Sequence, residues 1–112
     1  MTPTPRIVIH LDEREKAALA LRNVKNLIED LAGVEVEVVV HADGVEGLRA
    51  GGPNTDLMGL LVGQGVRFLV CEQALRSRNL TPENFPGYVE TVPSGIVELV
   101  VRQAEGWCYL RP

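Results

Sequence analysis

Residues 66–76 read VRFLVCEQALR, and this stretch decides the fold. The apolar run at 66–70 predicts a β-strand, and residues 72–76 predict a short helix that follows it directly. Cys71 is then expected at the carboxyl edge of a sheet, beside the free N–H groups and positive dipole end of the helix. A thiol there is biased toward the nucleophilic thiolate. The alternative is a small buried hydrophobic residue at a strand end.

The same alternation of strand and helix extends along the whole chain. It predicts a parallel sheet with helices on both faces, and no linker divides residues 1–112, so we expect one domain. Asp12 and Glu15 have the spacing of a capping box for the first helix. Glu35 and Glu37 alternate with valines, which predicts that the second strand begins at the solvent. Strands are predicted at 6–11, 34–41, 66–70, 88–92 and 107–110, and helices at 13–31, 55–64, 72–76 and 95–105.

Composition narrows the function classes. The 112 residues are 46% hydrophobic but only 4% aromatic, so aliphatic side chains must fill the core. A net charge of −4 argues against a nucleic-acid partner, because such proteins carry clustered Lys and Arg. No apolar run approaches the roughly 20 residues that span a bilayer. No signal peptide is visible, so we expect a cytoplasmic protein with reduced thiols and no membrane partner.

Three chemically versatile side chains lie at or near the ends of the first three predicted strands: His10, His41 and Cys71. Ligands of open parallel sheets bind at that edge, and we expect at least one histidine beside Cys71, with His41 the stronger candidate. An imidazole there could take the thiol proton or, if protonated, favour the thiolate. Ordinary hydrogen-bonded strand-end histidines are the alternative. The same three residues could bind zinc only if they converged in space, so no metal site is predicted.

Ser94 and Gly95 precede the last predicted helix and form a second candidate binding element. The free N–H groups of a helix start can bind an anion, and the alternative is that Ser94 acts only as an N-cap. No nucleotide-binding motif is present, and no cofactor is predicted. Cys108 lies within the last strand and is interpreted as structural. Residues 96–104 are apolar around much of the helix, so the last strand or another subunit is expected to cover a second side.

With these segments in view, the chain resembles the DsrE/DsrF-like family of small α/β proteins, which includes sulfur-relay subunits. The resemblance rests on VIHLD at 8–12, VHADG at 40–44, GVRFLVC at 65–71, VPSGIVEL at 92–99 and QAEGW at 103–107. It implies a three-layer α/β/α sandwich on a five-stranded, mainly parallel sheet. It also implies a homo-oligomer, a trimer or a hexamer, and places Cys71 at the position where relay members carry a persulfide.

Two functional hypotheses remain open. The first is an intracellular sulfur carrier or transferase that uses Cys71 and works with sulfur donor and acceptor proteins. The second is a non-catalytic oligomeric subunit that binds a small ligand or serves in assembly, with an inert Cys71.

Overall fold

The computed structural model describes residues 4–112 and contains a five-stranded sheet with the order β4-β3-β2-β1-β5, in which every pairing is parallel. The strands are β1 (Arg6–Leu11), β2 (Glu35–Val40), β3 (Arg67–Cys71), β4 (Glu90–Val92) and β5 (Cys108–Leu110). The helices are α1 (Ala17–Asp30), α2 (Thr55–Gly63), α3 (Glu72–Ser77) and α4 (Gly95–Ala104). Short 3-10 segments lie at Arg14–Lys16, Ala42–Leu48 and Pro82–Asn84.

Helices cover both faces of the sheet, as predicted. The larger core lies on the face covered by α1, α2 and α3, where β-branched and leucine side chains of the three central strands pack against the apolar stripes of these helices. Among the described residues, α4 is the helix that covers the opposite face, over a smaller cluster formed by Val8, Val39, Leu69, Leu99 and Trp107. The two clusters make a three-layer α/β/α sandwich.

The path of the chain explains where a crevice forms. Strands β1 to β4 follow one another across the sheet, and the chain then crosses back through α4 to pair β5 with β1. Because crossovers are right-handed, this reversal of direction moves the connecting helix to the other face. At the carboxyl ends of β3 and β4, α3 therefore leaves toward one face while α4 begins on the other. Such a divergence is where open α/β sheets bind ligands.

The first helix begins differently from the prediction. Its first turn is a 3-10 segment with Glu13 at the N-cap, and no side chain caps it. Asp12 instead accepts hydrogen bonds from the Arg111 guanidinium at 3.1 Å. The predicted capping box of Asp12 and Glu15 is therefore wrong, because a charged partner from the far end of the chain holds the Asp12 carboxylate.

The second strand also differs from its prediction, because Glu37 does not face solvent. Its side chain is fully buried under α4, where Arg102 donates to it at 3.1 Å and Arg67 lies 3.5 Å away. Burial, with help from the neighbouring Glu98 carboxylate, raises the pKa of Glu37 from 4.5 to about 7. The alternation correctly places Glu37 on the face opposite Val36 and Val38, but that face is covered by a helix.

The last strand does not cover the apolar surface of α4. It lies at the sheet edge beside β1, and four α4 side chains stay largely exposed: Ile96, Val97, Val100 and Val101. Of the two predicted covers for this surface, the last strand is therefore ruled out.

Candidate functional site

Cys71 ends β3 and is the N-cap residue of α3, so the chain passes from strand to helix with no intervening loop. The residue lies at the divergence of α3 and α4 described above. Its side chain is largely buried, with 6% of the residue exposed. Among the described residues it forms no disulfide, and its thiol is free.

A cavity of about 240 Å³ lies over Cys71. His41 lines it from the end of β2, Ser94 and Ile96 line it from the start of α4, and Gln73 and Ser77 line it from α3. Strand β2 lies between β1 and β3, and this order makes His41 the direct neighbour of Cys71. The expectation that at least one histidine lies beside Cys71 is met by His41.

Ser94 and Gly95 shape this cavity in different ways. The Ser94 hydroxyl accepts a hydrogen bond from the Val97 N–H at 3.4 Å, which is the geometry of an N-cap. Gly95 lets α4 approach the sheet closely, since a Cβ there would lie 3.1 Å from the His41 Cβ and 3.3 Å from the Cys71 Cβ. The positive end of α4 is thereby held against the Cys71 cavity.

His10 and His41 form a stacked pair at the same edge of the sheet. Their ring centroids are 4.7 Å apart, and the two Nε2 atoms face each other at 2.5 Å. The second nitrogen of His10, Nδ1, lies 2.6 Å from the hydroxyl of Tyr109 on β5. His41 therefore contacts the ring of His10 at the end of β1, and it also lines the cavity over Cys71.

Burial lowers the pKa of both His10 and His41 below the usual 6.5, and for His10 the neighbouring His41 adds to this effect. Both rings are therefore mostly neutral near neutral pH. The lowered pKa values make a protonated imidazole beside Cys71 less favourable under those conditions. A neutral imidazole can instead act as a proton acceptor.

The residues that the structure brings together as possible metal ligands differ from His10, His41 and Cys71, the three considered from the sequence. His10, His41 and Asp12 offer ligand atoms that all lie within 4.8 Å of one another, and Cys71 is not part of this group. Asp12 and Tyr109 are the residues that sequence reasoning missed. The His-x-Asp spacing of residues 10 and 12 is a signal that could have identified Asp12, whereas Tyr109 reaches His10 only through the pairing of β1 with β5.

Cys108, in contrast, is exposed on the edge strand β5. Cys108 does not pack in the core, because all three residues of β5 are exposed, and its interpretation as a structural rather than a reactive residue stays a prediction. It is also the more accessible of the two thiols.

The comparisons with known proteins agree with this architecture. The DsrE/DsrF-like family model matches residues 7–112. The chain belongs to this family. A solved structure of MTH1491, a protein of unknown function from Methanobacterium thermoautotrophicum, is 39% identical and superimposes with a TM-score of 0.92, covering 96% of this chain and 99% of that one.

The YchN protein from E. coli has the same fold at 18% identity, with a TM-score of 0.78 and coverage of 98% of this chain and 100% of that one. No curated protein gives a match to the chain. Within residues 4–112, no helix combines the length and apolar character that crossing a bilayer requires.

Proposed function

We propose that this DsrE-like protein is a sulfur carrier or sulfurtransferase in which Cys71 holds sulfane sulfur as a persulfide. The observation that carries the proposal is the position of Cys71 at the diverging ends of β3 and β4, in a cavity shared with His41 and the start of α4. Membership of a family that includes sulfur-relay subunits supports the same chemistry.

The loading reaction needs only a donor persulfide. The Cys71 thiolate attacks the terminal sulfur of the donor, a new S–S bond forms on Cys71, and the S–S bond of the donor breaks. The donor leaves as a thiolate, so the total oxidation state of the sulfur atoms is unchanged. An acceptor thiolate then attacks the outer sulfur of loaded Cys71, which returns to its thiolate form. No cofactor takes part in either step.

The surrounding residues have separate roles in this scheme. Neutral His41 accepts the proton of the Cys71 thiol as the thiolate forms. The first N–H groups of α4 lack carbonyl partners within the helix, and together with its dipole they favour the thiolate and the persulfide anion. Ser94 ends the preceding segment and caps the helix, while Gly95 allows the helix to lie this close.

Mass spectrometry after incubation with a low-molecular-weight persulfide tests the proposal. The unmodified protein and Cys108→Ser should each gain about 32 Da, one sulfur atom, whereas Cys71→Ser should not. Cys108→Ser is the matched control, because it removes the exposed second thiol and leaves Cys71 as the single cysteine of the chain. Equal uptake by Cys71→Ser, or a label that maps to Cys108, would refute the carrier role.

The burial of Cys71 favours a second candidate, a non-catalytic subunit that binds a small ligand or serves in assembly. In that case Cys71 is inert and packs as a small hydrophobic residue. The same experiment separates the two functions, since an inert Cys71 leaves Cys108→Ser without the added sulfur.

We also propose that the protein is a homo-oligomer, a trimer or a hexamer, in the cytoplasm. The apolar surface of α4 supports this assembly, because Ile96, Val97 and Val100 are each more than half exposed. Light scattering should give a multiple of 12.2 kDa for the unmodified protein and a smaller particle for Val100→Asp. A particle of 12.2 kDa at micromolar concentration would refute the assembly.

A further inference from the structure

We propose that His10, His41 and Asp12 form a binding site for a divalent transition-metal ion of the zinc class. The ligand atoms of the three side chains lie within 4.8 Å of one another, and each residue is half-buried. The site extends beyond the sulfur chemistry of Cys71, since it neither includes the thiol nor requires it to react.

The backbone holds the three ligands on rigid elements. His10 and Asp12 flank the last residue of β1, and His41 directly follows β2, which pairs with β1 along its whole length. The backbone N–H of His41 donates to the carbonyl of Leu11 at 3.1 Å, and this bond fixes the two strand ends relative to each other. Ligands on paired strand ends need little ordering to bind an ion.

Tyr109 provides the outer contact that metal-binding histidines usually have. Its hydroxyl lies 2.6 Å from Nδ1 of His10, so an Nδ1–H can donate to it and leave the Nε2 lone pair directed toward His41. The two Nε2 atoms are 2.5 Å apart, a spacing at which they can share only one proton. An ion bound to both at about 2.0–2.1 Å would need the nitrogens roughly 1 Å farther apart, a shift that ring rotation can supply.

The donor set selects the class of ion. Two imidazole nitrogens with one carboxylate suit zinc and its neighbours among the first-row divalent metals, whereas magnesium and calcium prefer oxygen ligands. Three protein ligands leave at least one position for water or a substrate atom.

One positive charge opposes binding and provides a sensitive test. The Arg111 guanidinium lies 3.1 Å from both oxygens of Asp12, and it also approaches Glu13 at 3.5 Å. It competes with a cation for the Asp12 carboxylate. Removing Arg111 should therefore strengthen metal binding, an effect that a surface site elsewhere would not show.

Isothermal titration of the full chain with Zn²⁺ and with Mg²⁺ tests the site. We expect one Zn²⁺ per chain and no Mg²⁺, with unchanged affinity in Cys71→Ser and in Cys108→Ser. Asp12→Asn and His41→Gln, which nearly preserve side-chain size, should each weaken Zn²⁺ binding by more than about tenfold. Arg111→Gln should strengthen it, and Co²⁺ should give an absorption spectrum without a thiolate charge-transfer band.

Circular dichroism of each variant establishes that it is folded. Tyr109→Phe, at a partly exposed position, is a milder change that should weaken Zn²⁺ binding by about tenfold. The proposal is overturned if no stoichiometric Zn²⁺ binds, if folded Asp12→Asn binds as well as the unmodified protein, or if either cysteine variant loses the ion. Failure of sulfur loading on Cys71 would leave these titrations unchanged, so the two proposals fail independently.

Discussion

Replacing Glu37 with Gln should change how the stability of the protein depends on pH. Glu37 is fully buried, and its pKa is raised from 4.5 to about 7, mainly by loss of solvation and next by the Glu98 carboxylate. Between these two values the native protein holds a proton that the unfolded chain has lost. The free energy of unfolding must therefore fall as the pH rises through this range.

The structure sets the size of this effect. A displacement of the pKa from 4.5 to about 7 corresponds to about 3 kcal/mol over the full range, and most of it lies between about pH 5 and about pH 8. A Gln amide mimics the protonated acid, because its oxygen can accept from Arg102 and its N–H₂ can donate to Glu98. The stability of Glu37→Gln relative to the unmodified protein should thus rise by about 2 to 3 kcal/mol between about pH 5 and about pH 8.

Urea unfolding followed by the fluorescence of Trp107, at one protein concentration across the pH range, measures this difference. The lowered pKa values of His10 and His41 have the opposite effect on stability. As the pH falls below 6.5, the unfolded chain gains protons before the native protein does, so the free energy of unfolding decreases. That effect is common to both proteins and cancels in their difference.

Glu35→Gln, at an exposed position of the same strand, is the matched control for the loss of one carboxylate from β2. A difference between Glu37→Gln and the unmodified protein that stays constant from about pH 5 to about pH 8 would refute the reasoning. It would mean that Glu37 is ionised in the native state and stabilised by Arg102 and Arg67.

Two glycines give further predictions. A Cβ at Gly44 would lie 2.3 Å from the carbonyl oxygen of Leu11, so Gly44→Ala should lower the free energy of unfolding by about 3 kcal/mol. Urea titration measures this change. Gly63→Ala is the control and should be close to neutral, because a Cβ at Gly63 would have no atom from elsewhere in the described chain within 4 Å. Gly95→Ala should move α4 away from His41 and Cys71, lower the free energy of unfolding by about 1 kcal/mol and slow persulfide loading. An unchanged loading rate would show that the close approach of α4 does not affect the Cys71 thiol.

The fold was predictable because its signals are local. Strand β1 has the bounds Arg6–Leu11 that its apolar run predicts, and the transition at Cys71 from strand to helix is as expected. Glycine and proline mark the ends of most other elements, and their bounds differ from the prediction by a few residues. Alternating strands and helices allow few topologies once crossovers are right-handed, so the parallel sheet follows from the order of elements.

The charged interior was not predictable in the same way. The alternation in β2 correctly separates Glu37 from the valines, but it carries no information about what covers each face. The cover comes from α4, and the partner Arg102 is 65 residues away in the sequence. Asp12 poses the same problem, because its Arg111 partner is 99 residues away and becomes a neighbour only when β5 pairs with β1.

His41 is the residue whose variants need the most careful interpretation. His41 lines the Cys71 cavity and its ring stacks on His10, so it belongs to both the thiol site and the proposed metal site. Loss of sulfur loading in His41→Gln would fit a missing proton acceptor and would equally fit a missing metal ligand. Asp12→Asn removes only the second role, because Asp12 does not line the Cys71 cavity. Sulfur loading that survives Asp12→Asn but not His41→Gln therefore assigns His41 to the thiol, whereas loss in both makes the metal ion part of the same chemistry.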